Sequence, residues 1–356
     1  MEFEELFSAP FIANDEAVLK RFKSNGLPVV MYGASIDVAD GIARKLAANG
    51  TPVAMLAYDD EKTPMTGAYS LLLKGLSRMS VSELDANHGR FNVVAGFVKG
   101  YCSCDAYYLS EIFDMEPVTE RFIRENKPAL KALYDSFADS CSKASFVAYL
   151  MSKTRQDMKY LPEVFDKIQY FTKDIFHPTR HESYFDCGAF TGDTVAEFLK
   201  ACDGKYNRIW AVEPDKTNFE QLKQYVENKQ LTNIDIFNGG IYSRKGCMSF
   251  RAESSMLSML DEASADSIEV DTIDNIVGCE PVTYIKFDVE GAELEALKGA
   301  EKTIRRCRPM MGVSIYHKQN DLTDIPAYIR SLYPDYKFAF RVHKKLAIDT
   351  VLYCYA

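Results

Sequence analysis

The sequence predicts an α/β protein with two blocks of mostly parallel strands joined by crossover helices. The chain has 356 residues, which at about 150 residues per domain is enough for two domains. Short apolar runs alternate with amphipathic helical segments, once from Leu27 onward and again from Ser183 onward. Apolar residues make up 47% of the chain and charged residues 26%, so each block can bury a core of its own.

The first block predicts a Rossmann-like accessory domain over residues 1–115. A buried strand is expected at Pro28–Tyr32, followed by a turn that starts at Gly33 and a helix with apolar residues on one face. Further strands are expected at Val53–Tyr58 and Phe91–Val98. This alternation of strands and helices is typical of half a nucleotide-binding sheet.

The turn of this block lacks the glycine pattern that seats a pyrophosphate, because Ile36 and Asp37 stand where small residues are expected. The block therefore either binds the nucleotide or sugar part of a substrate, as a degenerate Rossmann half, or serves in dimerisation and scaffolding. Over residues 116–175 the apolar period becomes helical, which predicts a helical connector.

The second block, residues 176–356, predicts a seven-stranded sheet. Five apolar runs alternate with helices and are expected to be parallel strands: Tyr184–Cys187, Arg208–Val212, NIDIF, TYIKFD and MMGVSIYH. The runs YKFAFRVH and DTVLYCYA follow with only a short turn between them, so they should pair antiparallel. The expected sheet is mostly parallel and ends in an antiparallel hairpin.

The loop DCGAFTGDT lies where the first strand of this block meets a helix. Gly188 and Gly192 have no side chain to block a ligand, and the helix that follows offers free backbone N–H groups. Glu213 comes about 20 residues later, at the end of the next strand, where a carboxylate can bind both hydroxyls of a ribose. The three-glycine spacing of pyrophosphate sites is absent, so a nucleoside without phosphates fits better. Asp186 would orient the rest of such a cofactor.

The segment TYIKFDVEGAELEALKGA is the most distinctive part of the chain. Asp288 ends a predicted strand at the edge of the sheet where ligands bind, and it is a candidate ligand-orienting group or general base. Lys286 alternates with it on one strand face and could pair with it to keep it ionised, or form a buried structural ion pair. Glu290 and Glu293 are expected in the first turn of the next helix, where an acid can also be plain helix-dipole stabilisation.

His317 closes the next predicted strand, beside the expected position of Asp288. An imidazole with a pKa near 6.5 can serve as general base for a hydroxyl, although a lone histidine can equally be structural. Positioning alone can also supply much of the rate of a displacement reaction, so a dedicated base is not required.

Together the segments DCGAFTGDT, AVEPD, IKFDVEGAELEALKGA and SIYHKQNDL resemble the FkbM family of S-adenosylmethionine-dependent methyltransferases. The resemblance covers Ile168 to Ala356 and implies a class I methyltransferase fold. It also implies methyl transfer of the EC 2.1.1 type, usually to a hydroxyl oxygen of a sugar, polyketide or similar small molecule. The cofactor residues that it implies are Asp186, Gly188, Ala189, Gly192, Glu213, Pro214, Asn238, Gly239 and Asp288, and the candidate catalytic residues are Asp288, His317 and Lys286.

Contacts to the acceptor are harder to place from the sequence. Ser255 and Ser258 lie in an insertion between the third and fourth strands of the second block and could hydrogen-bond an acceptor, or merely form a turn. Glu290 is a further candidate. Tyr170 and Phe171, just before the first strand, could cover the cofactor, although ordinary packing is the simpler role.

Composition excludes several classes of partner and leaves two rival functions. A net charge of −9 argues against nucleic acid, and no apolar run approaches the roughly 18 residues of a membrane span. The acidic start and nine scattered cysteines predict no signal peptide, reduced thiols and a cytoplasmic location, and no metal is expected. A homo-oligomer is compatible with the sequence. The rivals are an NAD- or sugar-nucleotide-binding enzyme that uses the first block, and a non-catalytic S-adenosylmethionine-binding protein.

Overall fold

A computed structural model describes residues 2–8, 10–11, 14–33, 36–58, 73–95, 105–109, 116–251, 259–260, 267–343 and 349–356. The chain divides into two compact units. The N-terminal unit comprises Met1–Tyr134, Ser140–Lys167 and Arg341–Thr350, and the C-terminal unit comprises Asp135–Asp139, Ile168–Phe340 and Val351–Ala356. Most of the helical stretch predicted as a separate connector therefore groups with the N-terminal unit.

The N-terminal unit contains a parallel sheet, whose described strands have the order β3-β2-β1-β4-β5. These strands are β1 (Val29–Tyr32), β2 (Val53–Tyr58), β3 (Ser77–Ser80), β4 (Asn92–Ala95) and β5 (Ala106–Tyr107). The central strand β1 is buried along its whole length, as expected for a parallel strand covered on both faces. The order reverses between β1 and β4, which is the arrangement of a Rossmann-like half.

Two strands of this sheet were not predicted. The sequence of β3 is SRMS, which is polar because the strand lies at the exposed edge of the sheet, and β5 has only two residues. The strand predicted to run to Val98 ends at Ala95, and residues 96–98 lie outside the described residues. The sequence thus identified the strands that bury apolar runs and missed those that do not.

The described helices of the N-terminal unit are α1 (Asp15–Asn25), α2 (Ile36–Ala48), α3 (Val81–Ala86), α4 (Glu120–Glu125), α5 (Lys127–Ser136) and α6 (Ser140–Arg155). Helix α1 begins at an N-cap, Asn14, whose Oδ1 accepts the N–H of Ala17 at 3.0 Å. It ends at Gly26, which adopts the left-handed conformation with φ of 66°. Both caps are local signals that explain the bounds of this helix.

The main sheet of the C-terminal unit has the order β15-β16-β14-β13-β6-β7-β8 among the described strands. Its strands are β6 (Ser183–Cys187), β7 (Arg208–Glu213), β8 (Ile234–Asn238), β13 (Tyr284–Phe287), β14 (Met310–Ser314), β15 (Lys337–Val342) and β16 (Thr350–Tyr355). Strands β8, β7, β6, β13 and β14 are parallel, and β16 is antiparallel to β14. The predicted seven-stranded, mostly parallel sheet with an antiparallel end is confirmed.

The insertion between β8 and β13 forms a second sheet, whose described strands have the order β11-β10-β12-β9. These strands are β9 (Gly240–Ile241), β10 (Gly246–Arg251), β11 (Met259–Leu260) and β12 (Ser267–Asp271). The sequence predicted the insertion but not its strands, because they are short and β12 is largely exposed. The candidate substrate residues Ser255 and Ser258 lie outside the described residues.

The described helices of the C-terminal unit are α7 (Asp193–Ala201), α8 (Lys216–Asn228), α9 (Ile273–Val277), α10 (Glu293–Lys298), α11 (Glu301–Cys307) and α12 (Asp321–Leu332). Helix α10 begins at Glu293, so Glu290 precedes it and lies in a turn, with φ of 51°, instead of in its first helical turn. None of the helices described in either unit is long and apolar enough to cross a bilayer.

Candidate functional site

The chemistry-bearing residues of the C-terminal unit meet where the strand order reverses. From β6 the chain proceeds outward to β7 and β8, and then crosses back to pair β13 with the other side of β6. The loop that starts at Gly188 follows β6, and Asp288 follows β13, at the same edge of the sheet. A crevice at such a reversal point, beyond the carboxyl ends of the strands, is where open α/β sheets bind ligands.

The two glycines of the loop after β6 are required by the packing of the chain itself. Gly188 has φ of 84°, and a Cβ built on it would lie 2.0 Å from the carbonyl oxygen of Asp288. Gly192 has φ of 91°, and a Cβ there would lie 3.0 Å from Cδ1 of Tyr225. From the sequence, these glycines were expected to leave room for a ligand, but at both positions neighbouring segments take up the space.

Glu213 is a buried carboxylate held by backbone donors at the end of β7. Its Oε2 accepts the N–H of Phe190 at 2.8 Å, and its Oε1 accepts the N–H of Asp215 at 3.0 Å. Burial raises the pKa of Glu213 to about 7, although the two N–H groups oppose that shift. No side-chain donor among the described residues contacts this carboxylate, so each oxygen keeps a lone pair that can accept a hydroxyl.

The end of β8 is tied to the turn after Glu213. The side-chain amide of Asn238 donates to the carbonyl oxygens of Glu213 and Pro214, at 2.9 and 3.2 Å. The N–H of Gly239 also donates to the Glu213 carbonyl, at 3.2 Å, and a Cβ on Gly239 would lie 2.7 Å from the carbonyl oxygen of Glu269. The residues that the resemblance implies around an adenine, Asn238 and Gly239, are therefore next to Glu213.

Asp186 and Lys286 form an ion pair in the interior of the sheet. They lie opposite each other in the register of β6 and β13, and Nζ of Lys286 is 3.1 Å from Oδ1 of Asp186. Burial alone would lower the pKa of Lys286, but the charges of Asp186 and Asp288 raise it above its usual value. Lys286 also donates to the carbonyl of Gly188 at 2.6 Å, and Thr194 donates to Oδ2 of Asp186 at 2.6 Å. The pair thus fixes the loop after β6.

This ion pair bears on the alternatives for Lys286 and on the role expected of Asp186. The sequence left Lys286 either as a partner of Asp288 or in a buried structural ion pair, and its direct partner is Asp186, because the strand register places those two side by side. Asp186 was expected to touch a cofactor, but its side chain has no exposed surface and both of its oxygens accept bonds from the protein. Its position supports the loop and does not line the crevice.

Asp288 is surrounded by hydroxyl groups on the other side of the crevice. Its Oδ2 accepts the phenol of Tyr170 at 2.9 Å, and the same phenol is 2.9 Å from Oγ of Ser314. Tyr316 donates to Oδ1 at 3.4 Å. Burial would raise the pKa of Asp288, but the nearby charges of Lys286 and the histidine that follows β14 hold it below its usual value. The group is therefore an ionised carboxylate at neutral pH.

Tyr170 has a role that the sequence did not indicate. It is buried, has φ of 60°, and is held through its backbone, since its N–H donates to the phenol of Tyr353 at 2.8 Å and its carbonyl accepts the phenol of Tyr284 at 2.5 Å. The phenol reaches Asp288 from this fixed position. Phe171 packs in the aromatic core instead, next to Tyr184 and Tyr284. No signal in QYF distinguishes a lid from a residue that supports Asp288.

His317 follows β14 and faces a group of carboxylates. Its Nδ1 is 2.9 Å from Oε1 of Glu293, and its Nε2 is 3.1 Å from Oε2 of Glu290 and 3.9 Å from Oδ1 of Asp288. Burial would lower the pKa of His317, but the charges of Glu293 and Glu290 raise it well above its usual value. This shift favours the protonated imidazole, so of the two roles left open by the sequence, general base and structural residue, this environment favours the structural one.

The remaining members of this group come from α10 and α12. The side chain of Glu293 has no exposed surface, and its Oε1 also accepts the N–H groups of Val289 and Gly291, at 3.0 and 3.3 Å. Asp321 accepts the N–H of Lys318 at 3.0 Å, and burial followed by the charge of Glu293 raises its pKa to about 7. The structure therefore brings together His317, Glu290 and Glu293, whose shared environment the sequence did not predict.

Comparison with known proteins identifies the domain that carries this site. Residues 186–338 match the family model described as the methyltransferase FkbM domain, so the resemblance seen in the sequence is confirmed over that segment. The crystal structure of methyltransferase FkbM from Methylobacillus flagellatus KT is similar over 97% of this chain and 94% of its own, with 24% identity and a TM-score of 0.66. That similarity shows the shared fold over both units.

Two further solved structures are similar over about half of the chain. An rRNA methylase from Streptococcus thermophilus covers 49% of this chain and 86% of its own, with 13% identity and a TM-score of 0.32. Fibrillarin from Aeropyrum pernix, solved with natively bound S-adenosyl-L-methionine, covers 51% of this chain and 70% of its own, with 14% identity and a TM-score of 0.33. No curated protein matches the chain.

Proposed function

Because residues 186–338 match the methyltransferase FkbM domain, we propose that the C-terminal unit binds S-adenosylmethionine and methylates a hydroxyl oxygen of a sugar or another small molecule. The cofactor would lie across the loop after β6 and the end of β7. The acceptor would approach from the side of Asp288 and His317. When bound, the cofactor supplies a methyl group that its sulfonium centre already activates.

The observation that carries this proposal is the environment of Glu213. A buried carboxylate is costly unless it is hydrogen-bonded, and this one receives only two backbone N–H groups from Phe190 and Asp215. Its two oxygens are held at a fixed spacing with lone pairs left over, which suits the paired hydroxyls of a ribose. Asn238 and Gly239 lie beside it, since both donate to the Glu213 carbonyl.

The acceptor side depends on Asp288. Its carboxylate is ionised and fixed by Tyr170, so it can accept the hydrogen bond of an acceptor hydroxyl and receive the proton as the oxygen is methylated. Lys286 holds the loop and contributes a positive charge near Asp288 without touching the acceptor. Positioning of the two reactants in a crevice that excludes water would supply much of the rate.

Isothermal titration calorimetry with S-adenosylhomocysteine tests the cofactor assignment. The wild-type protein should bind this ligand, and Glu213→Ala should weaken binding by roughly 10- to 100-fold, since a hydrogen bond to a charged group contributes about 1.5–3 kcal/mol. Glu220→Ala is the matched control, because Glu220 is an exposed carboxylate on the following helix. If the wild-type protein did not bind S-adenosylhomocysteine, the proposed cofactor would be wrong. If Glu213→Ala bound it with unchanged affinity, the proposed contact between Glu213 and the ribose would be wrong.

The acceptor class requires a separate assay. Purified protein is incubated with a small-molecule extract and S-adenosylmethionine that carries a labelled methyl group, and labelled products are separated and identified. A methyl ether on a saccharide or related molecule is the expected product. Label on nitrogen or carbon would contradict the proposed acceptor atom while leaving methyl transfer intact.

A further inference from the structure

We propose that Asp288, Glu293 and His317 form a binding site for a first-row divalent transition-metal ion. Each of the three residues offers one ligand atom, and these atoms lie within 4.8 Å of one another. No metal was expected from the sequence, in which these three residues are separated along the chain and form no metal-binding motif. The fold brings them together from the ends of β13 and β14 and the start of α10.

The distances within the cluster fit a common cation. Ligand atoms that share a tetrahedral ion at about 2.0–2.1 Å lie roughly 3.4 Å from one another. An imidazole binds one ion through one nitrogen, and in this cluster Nε2 of His317 is the nitrogen near Asp288, 3.9 Å from its Oδ1. The carboxylate of Glu293 contacts the other nitrogen, Nδ1, at 2.9 Å, so one of these side chains must rotate before all three bind one ion.

Unpaired polar atoms in the cluster point to the same conclusion. Both ring nitrogens of His317 and the Oε2 atom of Glu293 are buried and have no hydrogen-bond partner. The nitrogens are close to carboxylate oxygens, but none of these contacts has the alignment of a hydrogen bond. The side chain of Glu293 has no exposed surface, so bulk solvent does not reach its unpaired oxygen. Short contacts without alignment are expected for groups that share an ion.

The charge of the cluster also favours a cation. Four carboxylates surround a single imidazole, namely Asp288, Glu290, Glu293 and Asp321. Lys286 is paired with a different carboxylate in the sheet, and the exposed Lys318, whose ammonium donates to the carbonyl of Gly291, adds one positive charge at the edge of the cluster. Even with a protonated imidazole the group carries an excess of negative charge in a buried place, which a divalent ion would offset.

Ligand chemistry and access narrow the identity of the ion. An imidazole among carboxylates suits Mn²⁺, Fe²⁺, Co²⁺ or Zn²⁺ better than Ca²⁺ or Mg²⁺, which prefer oxygen ligands. The side chains of Asp288 and Glu290 remain 20% and 25% exposed, so an ion can enter from solvent. Three protein ligands leave a coordination position for water or for an oxygen of the acceptor. Coordination of an acceptor oxygen by the ion rests on the proposed function, whereas binding of the ion itself does not.

Binding of Mn²⁺ to the full-length protein tests the site directly. After treatment with a chelator and its removal, the protein is titrated with Mn²⁺ and free ion is followed by electron paramagnetic resonance. Mn²⁺ is used because exposed thiols such as Cys247 and Cys279 would also bind Zn²⁺. We expect one ion per chain, and at least about tenfold weaker binding for Glu293→Gln and for His317→Gln.

The control is Glu295→Gln, which removes a carboxylate two residues further along α10 that contacts Ser243 and Lys298. It should bind Mn²⁺ as the wild-type protein does. Circular dichroism tests whether each variant is folded. If Glu293→Gln does not fold, the comparison rests on His317→Gln. The proposal would be overturned if the wild-type protein showed no saturable Mn²⁺ binding. It would also be overturned if the wild-type protein and both folded variants bound Mn²⁺ equally well. S-adenosylhomocysteine binding is measured on the same samples, so that failure of the cofactor site is seen separately.

Discussion

At the scale of single residues, three of the nine described non-glycine residues with positive φ lie at the candidate site. Tyr170, Phe190 and Glu290 have φ of 60°, 47° and 51°. A left-handed residue with a Cβ costs roughly 1–2 kcal/mol, so the surrounding contacts must hold it there. In each case the contact involves the site: Tyr170 reaches Asp288, the Phe190 N–H reaches Glu213, and Glu290 faces the imidazole after β14.

Removal of the Tyr170 hydroxyl should affect catalysis more than folding. Tyr170→Phe keeps the buried ring but removes the hydrogen bond that Tyr170 donates to Asp288. The carboxylate of Asp288 is then less well positioned. We expect a fall in kcat of tenfold or more for methyl transfer, unchanged affinity for S-adenosylhomocysteine, and a loss of about 1 kcal/mol in the free energy of unfolding. Steady-state kinetics, calorimetry and urea unfolding measure the three quantities.

Tyr206→Phe is the matched control for that substitution. The Tyr206 hydroxyl donates to the carbonyl of Thr232, far along the chain from the residues of the crevice, so its removal should leave kcat unchanged. Equal kcat in wild type and Tyr170→Phe would mean that the phenol only fills space.

The pKa of Glu213 predicts how cofactor binding depends on pH. The ionised carboxylate accepts hydroxyl bonds, and with a pKa of about 7 it becomes protonated as the pH falls below neutrality. The affinity for S-adenosylhomocysteine should therefore be constant above pH 8 and fall by up to about tenfold per pH unit below pH 7. Calorimetry from pH 5.5 to 8.5 measures this, and Glu213→Gln should flatten the profile. A wild-type profile that is already flat would contradict the role of this carboxylate.

At the scale of elements, the loop after β6 and the end of β13 are packed against each other so closely that no side chain fits between them. This contact predicts a large difference between two glycine substitutions. Gly188→Ala adds a methyl that would lie 2.0 Å from the carbonyl of Asp288, whereas at Gly204 nothing lies within 4 Å. Both glycines have positive φ, 84° and 69°, so backbone strain is common to the two.

We expect Gly204→Ala to cost about 1 kcal/mol in the free energy of unfolding and Gly188→Ala about 3 kcal/mol or more, because the second adds overpacking to the same strain. Urea unfolding of the two variants and the wild-type protein measures the difference. Equal losses would show that the loop moves away from β13 at little cost.

The contrast between predicted and missed elements follows from burial. Strands β1, β6, β7 and β13 were predicted from apolar runs because they lie in the middle of their sheets. Strands β3 and β12 contain polar, exposed residues, and β9 and β11 have only two residues each, so no apolar run marks them. At the site, the positions of Glu213 and Asp288 could be predicted because each lies at the end of a predicted strand. The pairing of Asp186 with Lys286 depends on strand register, and the grouping of Glu293 with His317 depends on where α10 begins. Single-sequence patterns specify neither of these.

At the scale of the whole molecule, the fluorescence of a single side chain distinguishes unfolding of the C-terminal unit from unfolding of the rest of the chain. Trp210 is the only tryptophan, and it is buried in β7, next to Phe185. Its fluorescence therefore reports unfolding of the C-terminal unit, whereas far-ultraviolet circular dichroism reports the helices and strands of both units. A ligand bound at Glu213 must shift the transition that Trp210 reports.

S-adenosylhomocysteine at 100 times its dissociation constant should raise the free energy of unfolding seen by Trp210 fluorescence by about 2.7 kcal/mol, because it binds the folded state alone. The same concentration should have almost no effect on Glu213→Ala. NAD⁺ is the decisive control, since a crevice built for a nucleoside without phosphates should not respond to a dinucleotide. If NAD⁺ shifted the Trp210 transition as strongly, the crevice would be a dinucleotide site and the methyl-transfer proposal would be wrong at its first step.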